Sequence, residues 1–269
     1  MSEQTAPANR PRILSVANQK GGVGKTTTAI NLGTALAAVG EEVLVVDLDP
    51  QGNASTGLGV PPSARQNGTT YDVLRRDRRL IDIEHETAVP RLRVAPATVE
   101  LAGAEIELLQ APNRQRRLAD AIEQYRADRP GLTYVMIDCP PSLGLLTVNA
   151  MVASDAVIVP LQCEFFALEG LGQIINTIET VRDRLNPRLA LQGVILTMYD
   201  RRNNLSREVE VDVRTHFGDK VYKTAIPRNV RISEAPSHGK PALLYDLRCV
   251  GSQAYVRLAS EVIQRERAA

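Results

Sequence analysis

Residues 18–33 read NQKGGVGKTTTAINLG, and the fold follows from how that stretch is parsed. An apolar run, RILSVAN (12–18), precedes it, and past Lys25 the apolar residues recur at helical spacing. A strand, a glycine-rich turn and a helix opening on Lys-Thr make a device for holding phosphate. Gly21, Gly22 and Gly24 let the backbone curl, so that the N–H groups from Gly21 through Val23 to Thr27 point at phosphate oxygens. The start of the helix adds partial positive charge. Lys25 is placed to neutralise β- and γ-phosphates, and the Thr26 hydroxyl is available to Mg²⁺. The common form of such loops, G-x-x-x-x-G-K-[ST], requires glycine at position 19, where this chain has Gln19. A second lysine, Lys20, stands five residues before Lys25. A dinucleotide fingerprint fails here for want of a third glycine at the required spacing and of an acidic residue at ribose distance in a suitable context, which argues against NAD.

Outward from this loop, short apolar runs alternate with longer helical patterns. The strands are predicted at 12–18, 42–49, 92–96, 133–140, 155–161 and 191–200, with a further one at 220–227. Helices are predicted near 25–39, 113–127, 142–153, 167–185, 205–217 and 251–266. Several strands are apolar on both faces, as strands covered by helices on each side must be. The expectation is an α/β chain with the P-loop NTPase fold: one domain, a mostly parallel twisted sheet, helices on both faces. Ligands in such sheets sit at the carboxyl ends of strands, where segments 18–26, 47–57 and 138–142 fall. No repeat or low-complexity linker divides residues 12–269, and the polar, Pro-containing residues 1–11 read as a flexible tail with no secretion signal.

The 269 residues suffice for a core without staples; with no Trp and 4% aromatics, that core must be aliphatic. Three widely spaced cysteines, Cys139, Cys163 and Cys249, make neither a disulfide framework nor a zinc site and are expected to be buried thiols. SLGLLTVNAMVASDAVIVPL (142–161) is long and apolar enough to suggest a membrane span. Asp155 at its middle would cost roughly 2.5–3.5 kcal/mol on insertion, so the stretch is divided into a helix and a buried strand.

Lys20-Gly21-Gly22-Val23-Gly24-Lys25-Thr26-Thr27 resembles the deviant Walker A loop, K-G-G-x-G-K-[ST]-[ST], of the ParA/MinD superfamily of ATPases. DLDPQGNAS (47–55), IDCPPSLG (137–144) and IPRNVRISEAPSHGKP (226–241) are similar to segments of ParA partition ATPases, so the resemblance spans nearly the whole chain. It implies ATP and Mg²⁺ as cofactors and a homodimer that sandwiches ATP, with Lys20 reaching the partner's phosphates as an arginine finger does. It implies that Asp138 is the Walker B aspartate, which with Thr26 serves the metal. Asp49 corresponds to the switch aspartate that orients the attacking water; Asp47, two residues earlier, is a candidate to share that work. Pro227 and Asn229 are implied to contact adenine.

Within the superfamily, no second cysteine pattern accompanies Cys139, which argues against an interface iron–sulfur cluster. Val256, Ala259 and Ile263 of the last helix make a core-facing stripe without the bulky apolar face a lipid-seated helix needs. A MinD-like membrane-surface ATPase is therefore the alternative, and no membrane partner is expected. Between Arg182 and Arg231 the chain carries eleven Lys and Arg against six Asp and Glu. This region contacts DNA non-specifically in ParA proteins, and Arg201, Arg202, Arg207, Arg228 and Arg231 are the candidates for duplex backbone contact. The expectation is a cytoplasmic, nucleoid-associated ATPase, stimulated by a ParB-type centromere-binding partner, that moves chromosome or plasmid origin regions.

Overall fold

The computed structural model describes residues 10–165 and 167–267. Most of the tail expected over 1–11 lies outside them. Seven strands form one sheet: β1 (Arg12–Val16), β2 (Val43–Asp47), β3 (His85–Glu86), β4 (Leu92–Ala95), β5 (Tyr134–Asp138), β6 (Ala156–Gln162) and β7 (Ala190–Thr197). The order across it is β3-β4-β2-β5-β1-β6-β7, parallel throughout except for β3, which runs antiparallel to β4 at one edge.

The helices of the first half are α1 (Lys25–Ala38), α2 (Asn53–Gly57), α3 (Thr70–Arg75), α4 (Leu80–Ile83), α5 (Leu101–Glu107) and α6 (Arg117–Asp128). Those of the second half are α7 (Leu145–Ala153), α8 (Ala167–Arg184), α9 (Asn204–Phe217), α10 (Val230–Glu234), α11 (Ala242–Tyr245) and α12 (Val250–Arg267).

Strand side chains alternate between two separate apolar layers, as the two-residue period requires. Leu44, Val46, Val135, Ile137, Val157 and Val159 pack with α3, α6, α7 and α8. Val43, Val45, Met136, Ile158, Leu14 and Val16 pack with α1 and α12 on the other side. Aliphatic residues dominate both layers; the three largest side chains fully inside are Tyr125, Tyr222 and Tyr255. The stretch 142–161 divides into α7 and β6, and no described helix is long and apolar enough to cross a membrane.

Three expectations are corrected. Segment 220–227 is not a strand: it meets its neighbours only in single bridges, Val194 with Val221 and Tyr199 with Pro227. Between them the Glu261 carboxylate of α12 accepts from the backbone N–H groups of Lys223 and Thr224, at 2.8 and 3.1 Å. A side chain thus takes the donors that a ladder would have used. On α12, the buried stripe is Tyr255, Leu258, Ala259 and Val262, with Val256 and Ile263 only at its margin. The expected stripe was rotated by about one residue. Cys139 and Cys163 are buried as expected, while Cys249 is half-buried.

The sheet order brings the site together. β5 lies between β1 and β2, with Val16 and Asp47 both in register with Asp138. Three suspected segments, far apart in sequence, therefore leave adjacent strands at one edge.

Candidate nucleotide site

The loop between β1 and α1 is held at both ends. Asn18, buried, donates its amide to the Pro160 carbonyl at 2.7 Å and accepts from the Lys20 N–H at 3.0 Å. The Thr197 hydroxyl, at the end of β7, donates to the Val23 carbonyl at 2.9 Å. Gly22 and Gly24 have φ of +74° and +89°, the left-handed region that a side chain resists. Gly24 is the residue on which α1 starts, and no side chain caps that start. A helix start without a side-chain cap leaves backbone donors to be met from elsewhere, and Cβ atoms added at Gly21 or Gly22 would meet nothing within 4 Å. The loop therefore presents uncapped backbone donors beside open space, which suits phosphate.

The two lysines are held differently. Lys25 is buried, its ammonium donating to the Lys20 carbonyl across the loop at 2.9 Å. Burial lowers its pKa, and the nearby Asp138 pulls the other way. Lys20 lies on the rim with a half-exposed side chain, ion-paired with Glu164 just beyond β6.

Asp138 is fully buried, and neither carboxylate oxygen has a hydrogen-bond partner among the described residues. Burial, then the charge of Asp47, hold its pKa well above the carboxylate range; the Thr26 hydroxyl is near enough to oppose this without closing a bond. An orphaned carboxylate beside a Thr hydroxyl at a helix start is an oxygen-rich niche that fits Mg²⁺. That ion takes one or two protein oxygens and fills its octahedron with water and phosphate.

Asp47 and Asp49 have different surroundings. Asp47 is completely buried, accepting from the Ser55 N–H at 2.8 Å, the Ser55 hydroxyl at 2.7 Å and the Asp49 N–H at 3.1 Å. Burial pushes its pKa up to about 6, although the Ser55 bonds act against the shift. Among the described residues the Asp49 side chain accepts only from the Gln51 N–H, at 3.0 Å, which leaves its second oxygen uncommitted. Asp47 shapes the turn, and Asp49 is the carboxylate with an oxygen to spare.

Several contributing residues carry no sequence signal. Arg65 is buried, with no carboxylate partner among the described residues. Its guanidinium donates to the carbonyls of Val60, Ala97 and Gly52 and to the Thr56 hydroxyl, fastening the segment after Asp49 to the end of β4. Gly52 is required here: a Cβ would lie 2.3 Å from the Arg65 guanidinium. Replacing Arg65 by Met strands several buried carbonyls, and unsatisfied groups cost about 1–3 kcal/mol each. Urea unfolding is expected to show a loss of roughly 2–4 kcal/mol. An unchanged midpoint would mean that water replaces these bonds.

Pro227 and Asn229 lie together in the loop before α10. The Asn229 side chain caps that helix by accepting from the Arg231 N–H at 2.9 Å, and its amide N–H₂ meets no acceptor among the described residues. Arg201, Arg202 and Arg228 line one depression of about 920 Å³ with Pro227, joined by Lys223 and Arg257. Arg207 on α9 and Arg231 on α10 are exposed but do not line it; Arg231 pairs with Glu234 at 3.0 Å and Asp246 at 3.7 Å.

A parallel sheet that presents a glycine loop with its buried lysine after β1, an orphaned aspartate at the end of β5 and a carboxylate turn after β2 defines a phosphate-loop nucleotide-binding protein. Residues 11–191 match a family described as AAA domain. Over 260 residues the chain is 66% identical to the chromosome partitioning protein ParA of Caulobacter vibrioides, covering 97% of each. It is 55% identical to the sporulation initiation inhibitor protein Soj of Bacillus subtilis, covering 93% of this chain and 98% of that one. Among solved structures it resembles cobyrinic acid a,c-diamide synthase from Mycobacterium smegmatis with bound ATP analog and magnesium. The TM-score is 0.83 at 38% identity, with 96% of each chain covered. The chain belongs to the ParA/Soj family of chromosome-partitioning ATPases.

Proposed function

We propose that the chain is a Mg²⁺-dependent ATPase that closes as a homodimer around two ATP molecules and retains duplex DNA without sequence preference. A ParB-type centromere-binding partner stimulates its hydrolysis, and the cycle moves a chromosome or plasmid origin region. The observation that carries this reading is the division of labour between two lysines in one loop. Lys25 is buried against its own loop, while Lys20 stands on the rim with an ion pair that exposed water weakens.

In this reading the N–H groups from Gly21 to Thr27 and the Lys25 ammonium bind the phosphates of ATP. Thr26 and Asp138 hold Mg²⁺, which when bound supplies charge neutralisation at the β- and γ-oxygens. Asp49 orients water with its uncommitted oxygen, and Lys20 of the facing chain meets charge that develops on the γ-phosphate. Pro227 and Asn229 flank the base. A membrane-surface role of MinD type is less well supported, because Tyr255, Leu258 and Val262 of α12 are spent on the core.

The DNA contacts are assigned to Arg201, Arg202 and Arg228, with Arg207 and Arg231 at their margin. Arg202 has the most exposed side chain in the ion pairs of this face, at 93%. Dimerisation doubles the number of weak phosphate contacts and makes retention steeply dependent on ATP. In a duplex-retention titration the wild type is expected to need ATP and to lose affinity with salt at a slope of about −0.9 per phosphate neutralised. Arg202→Glu flattens that slope and leaves ATP-driven dimerisation in place. Retention by the wild type that is indifferent to ATP would overturn the switch.

A further inference from the structure

The densest positive charge in the chain lies outside the region assigned to DNA. Segments 75–79 (RRDRR) and 113–117 (NRQRR) hold seven arginines and one aspartate. The fold packs α3 and α4 against α6 and so brings the two segments to one face, toward the β3–β4 edge of the sheet and away from the β7 edge. There they enclose a cavity of about 410 Å³, lined by Arg76, Arg78, Arg79 and Arg117 together with Asp77, Asp82 and Asp120.

Ion pairing accounts for only half of these guanidinium groups. Arg76 pairs with Asp120 at 2.8 Å, and Arg79 with Asp82 at 3.0 Å. Arg78 is in no ion pair among the described residues. Arg117 is 8% exposed, has a buried Nε with no partner, and makes one long bond, 3.4 Å, to the Pro112 carbonyl. No carboxylate lies within ion-pair distance of it among the described residues. A buried arginine without an anion is costly, since its desolvation is not repaid by a pair. Its neighbour Arg76 worsens the balance, lowering the Arg117 pKa further after burial has done so.

Such a cup lacks an anion with several acceptor oxygens. A single carboxylate satisfies one fork, as Asp120 and Asp82 already do for Arg76 and Arg79. The two remaining forks lining one cavity suit a tetrahedral dianion that accepts from both. We infer that Arg78 and Arg117, with Arg76 beside them, form a second phosphoryl-binding site, separate from the loop after β1. The phosphoryl group comes from a free phosphate compound or from the backbone of duplex DNA.

Hydrogen exchange on the full chain, at ionic strength matched with sodium chloride, tests the site with two probes: inorganic pyrophosphate and a short duplex. Pyrophosphate should slow exchange in peptides covering 71–84 and 113–124. Its protection of 18–30 reports the phosphate loop separately, so failure of one site is distinguishable from failure of the other. Protection of 71–84 and 113–124 by the duplex alone supports the site with DNA as the source. Arg78→Ala and Arg117→Met should each weaken protection at the new site about tenfold, the loss of a charge-assisted contact, without moving that at 18–30. Arg78 is exposed and its removal strands no buried group, so that variant stays informative if Arg117→Met folds poorly. The site is overturned if neither probe protects these peptides, or if the Arg78→Ala chain is protected as well as the wild type.

Discussion

Lys20→Ala is expected to leave ATP binding by the single chain close to normal while partner-stimulated phosphate release collapses. The two properties separate because the Lys20 side chain takes no part in the donor cradle. Only its backbone does, through the carbonyl that receives Lys25, and alanine keeps that carbonyl. On the proposed reading, what the variant loses is an ammonium delivered by the facing chain to oxygens that gain charge in the transition state. Trans-acting cationic fingers are worth about 10³–10⁵ in rate in well-studied phosphoryl-transfer systems. A slow unstimulated reaction leaves less to lose, so the effect is largest in the presence of the partner. Single-turnover phosphate release at saturating ATP measures it. Wild-type rates in the variant would reduce Lys20 to a surface charge.

Lys25→Ala acts one step earlier, at binding. The Lys25 ammonium is the main point charge available to the phosphates, and its burial makes it more effective than a solvated lysine would be. Its removal leaves the loop backbone intact, since Asn18 and Thr197 still anchor it. It also leaves Asp138 facing incoming phosphate with its largest cationic counterweight gone. Isothermal titration should then show no measurable ATP binding, with the fold unchanged by circular dichroism. Near-native affinity would remove Lys25 from the site.

The phosphate loop was legible because its chemistry is local: glycines, a lysine and a helix start must follow one another along the chain. Asp138 was legible for a similar reason, as an acidic residue closing an apolar strand. The six longer strands and six longer helices have periods that survive without tertiary context. Segments 53–83 and 230–245 show no such period, since their helices are only four to six residues long and are held by contacts from elsewhere. Segment 220–227 has strand composition, yet Glu261, thirty-odd positions later, takes its donors. Arg65 and Asn18 were invisible as contributors because their partners are backbone carbonyls, which every residue possesses. The motif already favoured Asp49 over Asp47; what geometry adds is that the Ser55 bonds leave Asp47 engaged.

The pairing of Lys20 with Glu164 has a bearing on timing. Both side chains are more than a third exposed, at 46% and 41%. Pairs of this kind are worth about 0–1 kcal/mol, a bias of no more than about fivefold. In the idle chain the lysine is therefore parked rather than latched. On the proposed sandwich-dimer reading, its ammonium is available at each encounter of two loaded chains, and freeing it from Glu164 adds no slow step of its own.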